Sequence, residues 1–244
     1  MAKPETQMAK TFDGRASAIA QASRIALARH PEVDRVVEVN RAGVEISRRA
    51  AGDRARVFAS IGPSGKQLIT GEVDPEGLSA SFAEQAEALA SGQPDGIVIE
   101  TMSDLTEARL AIEAAKATGL PVVACMAFDS GKKLDRTMMG VTPTQAAEEL
   151  SAAGADVVGA NCGAGIDEYI PVCAGLAAAT DRPIWIKPNA GLPQLRGSEV
   201  FYPTTAEEFA GKLPALLEAG ARFIGGCCGS DPSFIEAMRR ALAG

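Results

Sequence analysis

The sequence lacks the features of a membrane-spanning, secreted or nucleic-acid-binding protein. Its longest apolar stretches, such as residues 121–128, are far shorter than the roughly 20 residues that cross a bilayer. A net charge of −7 offers no broad basic surface to phosphate backbones. No charged-then-apolar leader opens the chain, and five cysteines, an odd number, argue against a disulfide framework. We therefore expect a cytoplasmic protein without membrane or nucleic-acid partners.

The chain also lacks any internal repeat, low-complexity tract or Pro/Ser-rich linker that would divide it. Its 244 residues, 46% of them hydrophobic, can bury a large core and fall within the single-domain range of α/β barrels. We expect one domain over residues 1–244, in which residues 1–10 form a flexible tail.

From residue 57 onward, short β-rich runs alternate with Ala-rich amphipathic stretches, which is typical of parallel strands joined by crossover helices. The predicted strands cover residues 57–61, 97–100, 122–128, 157–161, 184–187 and 223–226. The predicted helices cover residues 105–117, 144–153, 167–179, 205–219 and 232–242, with Gly119, Gly154 and Gly220 at helix ends. Residues 15–51 indicate two helices broken at His30 and Pro31. Only six strands are evident, although a closed (β/α)₈ barrel needs eight.

Three cysteines follow predicted strands, at the end of the sheet where active sites of such folds gather. These are Cys162, after the fourth strand, and the adjacent Cys227 and Cys228, after the last. Flanking glycines would let the backbone turn both neighbouring sulfurs inward, and three thiolates suit a catalytic zinc ion with one open position. From position alone, small buried thiols remain the alternative, and it is the interpretation we keep for Cys125 and Cys173.

At these positions the sequence resembles the homocysteine S-methyltransferase family, which includes the homocysteine domain of cobalamin-dependent methionine synthase and betaine–homocysteine methyltransferase. The matching motifs are GANCG at residues 159–163, KPNAGLP at 187–193 and GGCCG at 225–229, with further matches at SIGP (60–63) and VIET (98–101). The resemblance implies a (β/α)₈ TIM barrel in which Cys162, Cys227 and Cys228 hold Zn²⁺ and homocysteine binds as a thiolate.

The resemblance also implies roles for three further residues. Glu100 would hold the amino group of the substrate, while Asn161 and Asn189 would orient metal ligands or substrate. Solvation of Glu100 and ordinary turn formation by the asparagines are the alternatives. The sequence does not identify the methyl donor. A methylated corrinoid such as methylcobalamin would arrive on a separate corrinoid protein, whereas a small donor would act directly.

The start of the chain departs from the family pattern. Residues 10–14 look like a remnant of the family's second strand motif, and the first strand is absent. Because missing strands expose a sheet edge, we expect a homo-oligomer or an incomplete barrel plugged by a helix. Two other functions stay open: a catalytically impaired barrel that binds zinc or another subunit, and a methyltransferase for a different thiol.

Overall fold

A computed structural model describes residues 22–31, 33–197 and 199–243, which form a parallel sheet surrounded by helices. The main sheet contains β1 (Phe58–Ile61), β2 (Gly96–Met102), β3 (Val122–Met126), β4 (Val157–Cys162), β5 (Ile184–Pro188) and β8 (Ala221–Ile224), while β6 (Gln194–Arg196) and β7 (Glu199–Phe201) form a hairpin. The α-helices are α1 (Val36–Ala51), α2 (Pro75–Ser91), α3 (Leu105–Ala117), α4 (Pro143–Ala152), α5 (Ile166–Ala177), α6 (Ala206–Gly211), α7 (Leu213–Glu218) and α8 (Pro232–Ala243).

The main sheet has the strand order β1-β2-β3-β4-β5-β8, and every adjacent pair in it is parallel. The sheet curls on itself, since the rings of Phe58 on β1 and Trp185 on β5 have centroids 5.8 Å apart although their strands are not neighbours. Phe223 on β8 stacks beside Trp185 at 5.3 Å. The six predicted strands are thus confirmed, in an α/β fold of TIM-barrel type.

The core has two parts, because the strands are covered on both faces. The outer face of the sheet packs against the helices in one large cluster, which includes Phe82 and Phe209. The inner face carries a separate cluster built around Val98, Val123, Cys125 and Trp185. Strands buried on both sides are near-continuous apolar runs, and this explains why the sequence reveals them so clearly.

Several helices begin with N-terminal side-chain caps. These caps fix the residue at which each helix starts after a loop at the carboxyl end of the sheet. Thr142 and Thr205 each form a capping box, at the start of α4 and α6. The glycines predicted at helix ends, Gly119, Gly154 and Gly220, follow α3, α4 and α7 and have φ of 77°, 99° and 107°.

Some elements differ from the sequence prediction. Helix α2 was not predicted, because polar Ser81 and Gln85 occupy buried positions and blur its apolar pattern. The predicted helix over residues 205–219 is two short helices that meet at Lys212, since Pro214 cannot donate a backbone hydrogen bond at the start of α7. The exposed hairpin of β6 and β7 was also not predicted.

The start of the chain is only partly described. Of the two helices expected in residues 15–51, the second is present as α1, whereas residues 24–31 form turns and residues 15–21 lie outside the described residues. The remnant motif at 10–14 and the expected tail at 1–10 also lie outside them. Helix α1 packs on α2 through Val44, which lies so close to Gly92 that a Cβ there would be 2.6 Å away. Within the described ranges, every helix is too short or too polar to span a membrane.

Candidate metal centre

Cys162 ends β4 in a left-handed backbone conformation, with φ of 62°. Gly163 follows with φ of 60°, and a Cβ on it would lie 2.4 Å from both the Phe128 carbonyl oxygen and the Tyr169 hydroxyl. The Tyr169 hydroxyl donates to the Asn161 carbonyl oxygen at 2.9 Å. Close packing by the loop after β3 and by α5 therefore sets the direction of the Cys162 side chain, and only glycine fits after it.

Cys227 and Cys228 follow β8 in a loop that is hydrogen-bonded to the loop after β5. The Cys227 N–H donates to the Pro188 carbonyl oxygen at 2.9 Å, and the Cys228 carbonyl oxygen accepts from the Ala190 N–H at the same distance. Gly229 comes next with φ of 80°, and its missing side chain leaves room for the Tyr202 ring. These glycines and backbone bonds let two adjacent cysteines face one point, as the sequence predicted.

The three sulfur atoms form one cluster, all within 4.8 Å of one another. The Sγ atoms of Cys162 and Cys228 are 3.8 Å apart. A tetrahedral zinc ion with Zn–S distances of about 2.3 Å sets its sulfurs about 3.8 Å apart, so the donor set fits that metal. Cys228 is exposed and the other two cysteines are half-buried, so the cluster can be reached from solvent.

The sulfurs also influence one another's protonation. Hydrogen bonds from Cys162, Cys227 and the Tyr202 hydroxyl lower the pKa of the Cys228 thiol well below its ordinary value. The same contacts with Cys227 and Cys228 raise the pKa of Cys162. A divalent cation held by these sulfurs would compete with their protons.

The two predicted asparagines lie beside the cysteine loops and support them. Asn161 accepts from the Thr101 N–H at 2.7 Å, donates to the Thr101 hydroxyl at 2.9 Å and points its amide nitrogen toward the Cys227 sulfur at 3.8 Å. Asn189 accepts from the Cys228 N–H at 3.0 Å and donates to the Gly163 carbonyl oxygen at 2.8 Å. Both amides thereby orient the ligand loops, and direct substrate contact stays a prediction.

Glu100 forms hydrogen bonds with two side chains that the sequence motifs did not suggest as partners, Lys187 and Ser60. One carboxylate oxygen accepts from the Lys187 ammonium at 3.0 Å, and the other accepts from the Ser60 hydroxyl. Lys187 was not predicted as a site residue. The available signal was a lone lysine, two positions after Trp185, in an otherwise apolar strand whose alternate side chains face inward.

The remaining cysteines lie apart from the cluster. Cys125 is in the inner wall of the sheet and Cys173 is in α5, both fully buried. Burial raises the pKa of each thiol. They are small buried residues, in agreement with the sequence interpretation.

Comparison with known proteins supports a specific family. The family model for homocysteine S-methyltransferase matches residues 11–242. The chain is 30% identical over 224 residues to a methionine synthase from Mycobacterium tuberculosis and 26% identical over 223 residues to one from Mycobacterium leprae. Each alignment covers 86% of this chain but only 18% of the relative, so the chain spans less than a fifth of those proteins.

Among solved structures, the metallated form of the homocysteine methyltransferase MmuM from Escherichia coli superposes with a TM-score of 0.73. The superposition covers 91% of this chain and 77% of that one at 23% sequence identity, and it supports the barrel fold. The sequence match over nearly the whole chain, together with the cysteine motifs, decides the assignment: the chain belongs to the homocysteine S-methyltransferase family.

Proposed function

We propose that this protein transfers a methyl group to the thiol of homocysteine, giving methionine, and that Cys162, Cys227 and Cys228 hold one zinc ion for this purpose. The observation that carries the proposal is that the sulfur of Cys162 and those of the adjacent Cys227 and Cys228, 65 residues further along the chain, lie within 4.8 Å of one another at the carboxyl end of the sheet. Family membership supports the choice of a methyl-transfer reaction.

The residues have separate tasks in this proposal. A zinc ion bound here would favour the thiolate form of a substrate thiol at neutral pH. Three protein sulfurs leave one tetrahedral position for that thiol. The carboxylate of Glu100, whose negative charge raises the pKa of the Cys228 thiol, would hold the substrate's ammonium group.

For the donor, we propose a methylated corrinoid carried by a separate protein. Exposed apolar side chains lie in segments that follow strands at the carboxyl end of the sheet: Ile69, Met138, Met139, Leu192, Leu195 and Val200. Such a rim suits contact with a partner protein. Because the three cluster thiols are unpaired, a reducing compartment such as the cytoplasm suits them.

The direct test combines metal analysis with a methyl-transfer assay on the whole chain. We expect about one zinc per chain in the wild type, and methionine formation from homocysteine with a methylated corrinoid or a small donor. Cys227→Ala should lose the metal and lower activity at least about 100-fold, since it removes a ligand and not merely its support. Cys173→Ala is the matched control, because this buried cysteine lies outside the cluster, and it should keep both.

Three results would change the proposal. Full methyl transfer by metal-free protein would overturn it. Zinc binding without methyl transfer from any donor tested would favour a binding or subunit role instead. Faster methylation of another thiol than of homocysteine would replace the substrate and leave the metal site intact.

A further inference from the structure

Beneath the sulfur cluster, Lys187 and Glu100 form an ion pair across the interior of the barrel. The Lys187 ammonium nitrogen is 3.0 Å from a Glu100 oxygen, and the two side chains are only 12% and 13% exposed. Lys187 is on β5 and Glu100 on β2, which are not neighbours in the sheet. The pair therefore depends on the curl of the barrel and fixes the Glu100 side chain from the opposite wall.

The carboxylate of Glu100 is held on both of its oxygens. Lys187 donates to one and the Ser60 hydroxyl, on the neighbouring strand β1, donates to the other. A carboxylate offers about four acceptor positions, so each oxygen keeps capacity for another donor. Room for the lysine stem comes from Gly225, where a Cβ would lie 3.2 Å from the Lys187 Cγ. In the part of the chain that the structure describes, this arrangement orients Glu100 and leaves acceptor positions for a ligand.

Charge balance explains why a cation belongs at this position. The Glu100 side chain is only 13% exposed, and a buried carboxylate without a counter-charge is strongly destabilising. Burial by itself lowers the pKa of Lys187, but the charges of Glu100 and Cys227 outweigh it and raise that pKa above its ordinary value. Lys187 therefore carries its positive charge and gives the Glu100 carboxylate a counter-charge at 3.0 Å.

We propose that Lys187 is a positioning residue that makes the site selective for thiols carrying an amino group. It holds the charged carboxylate of Glu100 in place, and the free acceptor positions of that carboxylate bind the substrate ammonium. This inference rests on the proposed function, because it assumes that the substrate sulfur binds at the cysteine cluster.

The test compares two ligands that differ only in the amino group. Homocysteine and 4-sulfanylbutanoate, which is homocysteine without that group, are titrated calorimetrically into the zinc-loaded protein. The wild type should bind homocysteine at least about tenfold more tightly, the effect of one charge-assisted hydrogen bond. Lys187→Met should remove this preference, Lys187→Arg should keep most of it, and all three proteins should bind 4-sulfanylbutanoate equally.

Two further measurements separate positioning from a purely structural role. Zinc content and binding of 4-sulfanylbutanoate report whether a variant is folded, and neither should change. Should Lys187→Met fail to fold, Lys187→Gln keeps an N–H donor for Glu100 without the charge, and it should lose the preference as well. In the activity assay, the KM for homocysteine should rise about tenfold while kcat changes little.

The outcomes distinguish the two claims. A zinc-loaded wild type that binds neither thiol would overturn the proposed function and this inference with it. A wild type that prefers homocysteine, together with a Lys187→Met variant of undiminished preference, would overturn the inference alone.

Discussion

The two ends of the barrel use their polar residues in different ways. At the amino end, Asp95 and Asp156 each precede a strand and accept the backbone N–H of a residue at the start of the neighbouring strand, Val57 at 2.7 Å and Val122 at 2.8 Å. The same two aspartates donate their own backbone N–H back to the carbonyl oxygens of those residues. The same pair of hydrogen bonds thus occurs twice, and it links β1 to β2 and β3 to β4.

Each of these aspartates also has a cationic partner at the surface. Arg56 lies 2.9 Å from Asp95, and Lys116 lies 3.0 Å from Asp156. Every group in these clusters thus has a partner within the chain. At the carboxyl end, by contrast, the amides of Asn161 and Asn189 support the loops that carry the three sulfurs. Within the described ranges, Glu100 accepts one hydrogen bond on each carboxylate oxygen. Barrels of this type commonly place stability at the amino end and chemistry at the carboxyl end.

The strongest challenge to this division is Gly163→Ala, because Gly163 lies at the carboxyl end but is packed as tightly as a core position. The added Cβ would lie 2.4 Å from the Phe128 carbonyl oxygen, at a φ of 60° that disfavours alanine. We expect the free energy of unfolding to fall by about 3 kcal/mol, from backbone strain and overpacking together. Zinc affinity should fall too, since Cys162 is the preceding residue. Urea unfolding and metal analysis measure the two effects.

Gly140→Ala is the matched control for that substitution. Gly140 has a φ of 82°, also in a loop at the carboxyl end, but its Cβ would meet nothing within 4 Å. Only the backbone cost of about 1 kcal/mol remains there. Equal losses of stability in both variants would show that the contact of Gly163 with Phe128 and Tyr169 contributes nothing.

The opposite test is Asp95→Asn at the amino end. The substitution weakens the bond to the Val57 N–H and removes the charge that Arg56 faces, on a side chain that is 21% exposed. We expect the free energy of unfolding to fall by about 1 to 2 kcal/mol, measured by urea unfolding, with zinc content and methyl transfer per folded molecule unchanged. Asp53→Asn, at an exposed residue of the adjacent loop, should change neither. A loss of zinc in Asp95→Asn would contradict the claim that the amino end contributes stability alone.

The sequence predicts the carboxyl end better than the amino end, and the reason is physical. Strands covered on both faces are apolar throughout, and the three cysteines follow two of them, so strand order and glycine context predict that the sulfurs can meet. The choice of metal ligands over small buried thiols came from the family resemblance. The aspartate bonds at the amino end join residues 34 to 38 positions apart. Aspartate before a strand is equally common as turn chemistry, so nothing in the sequence distinguishes these two.

Contacts across the barrel interior could not be predicted from sequence patterns, for another reason. Lys187 and Glu100 meet only because the sheet curls, and a pairing between strands that are not neighbours leaves no local signal. Helix α2 went undetected for a different cause, since Gln85 is fully buried there and faces Asn40 of α1. Tertiary packing at these places outweighs the periodicity on which sequence prediction depends.

The smallest expected effect is the pH dependence of the Asp95→Asn difference. Burial pushes the pKa of Asp95 upward, but the Val57 N–H, Arg56 and Arg48 more than offset this and hold that pKa below its ordinary value. Because the folded-state pKa is the lower one, the stability that Asp95 contributes is fully present above its unfolded pKa of about 4 and is lost as the pH falls through the folded value. The gap in unfolding free energy between wild type and Asp95→Asn should therefore be constant from about pH 7 to pH 5 and narrow toward pH 3. Other carboxylates titrate alike in both proteins and cancel from the difference. A gap that stays constant down to pH 3 would mean that the charge of Asp95 is not what fastens the amino end.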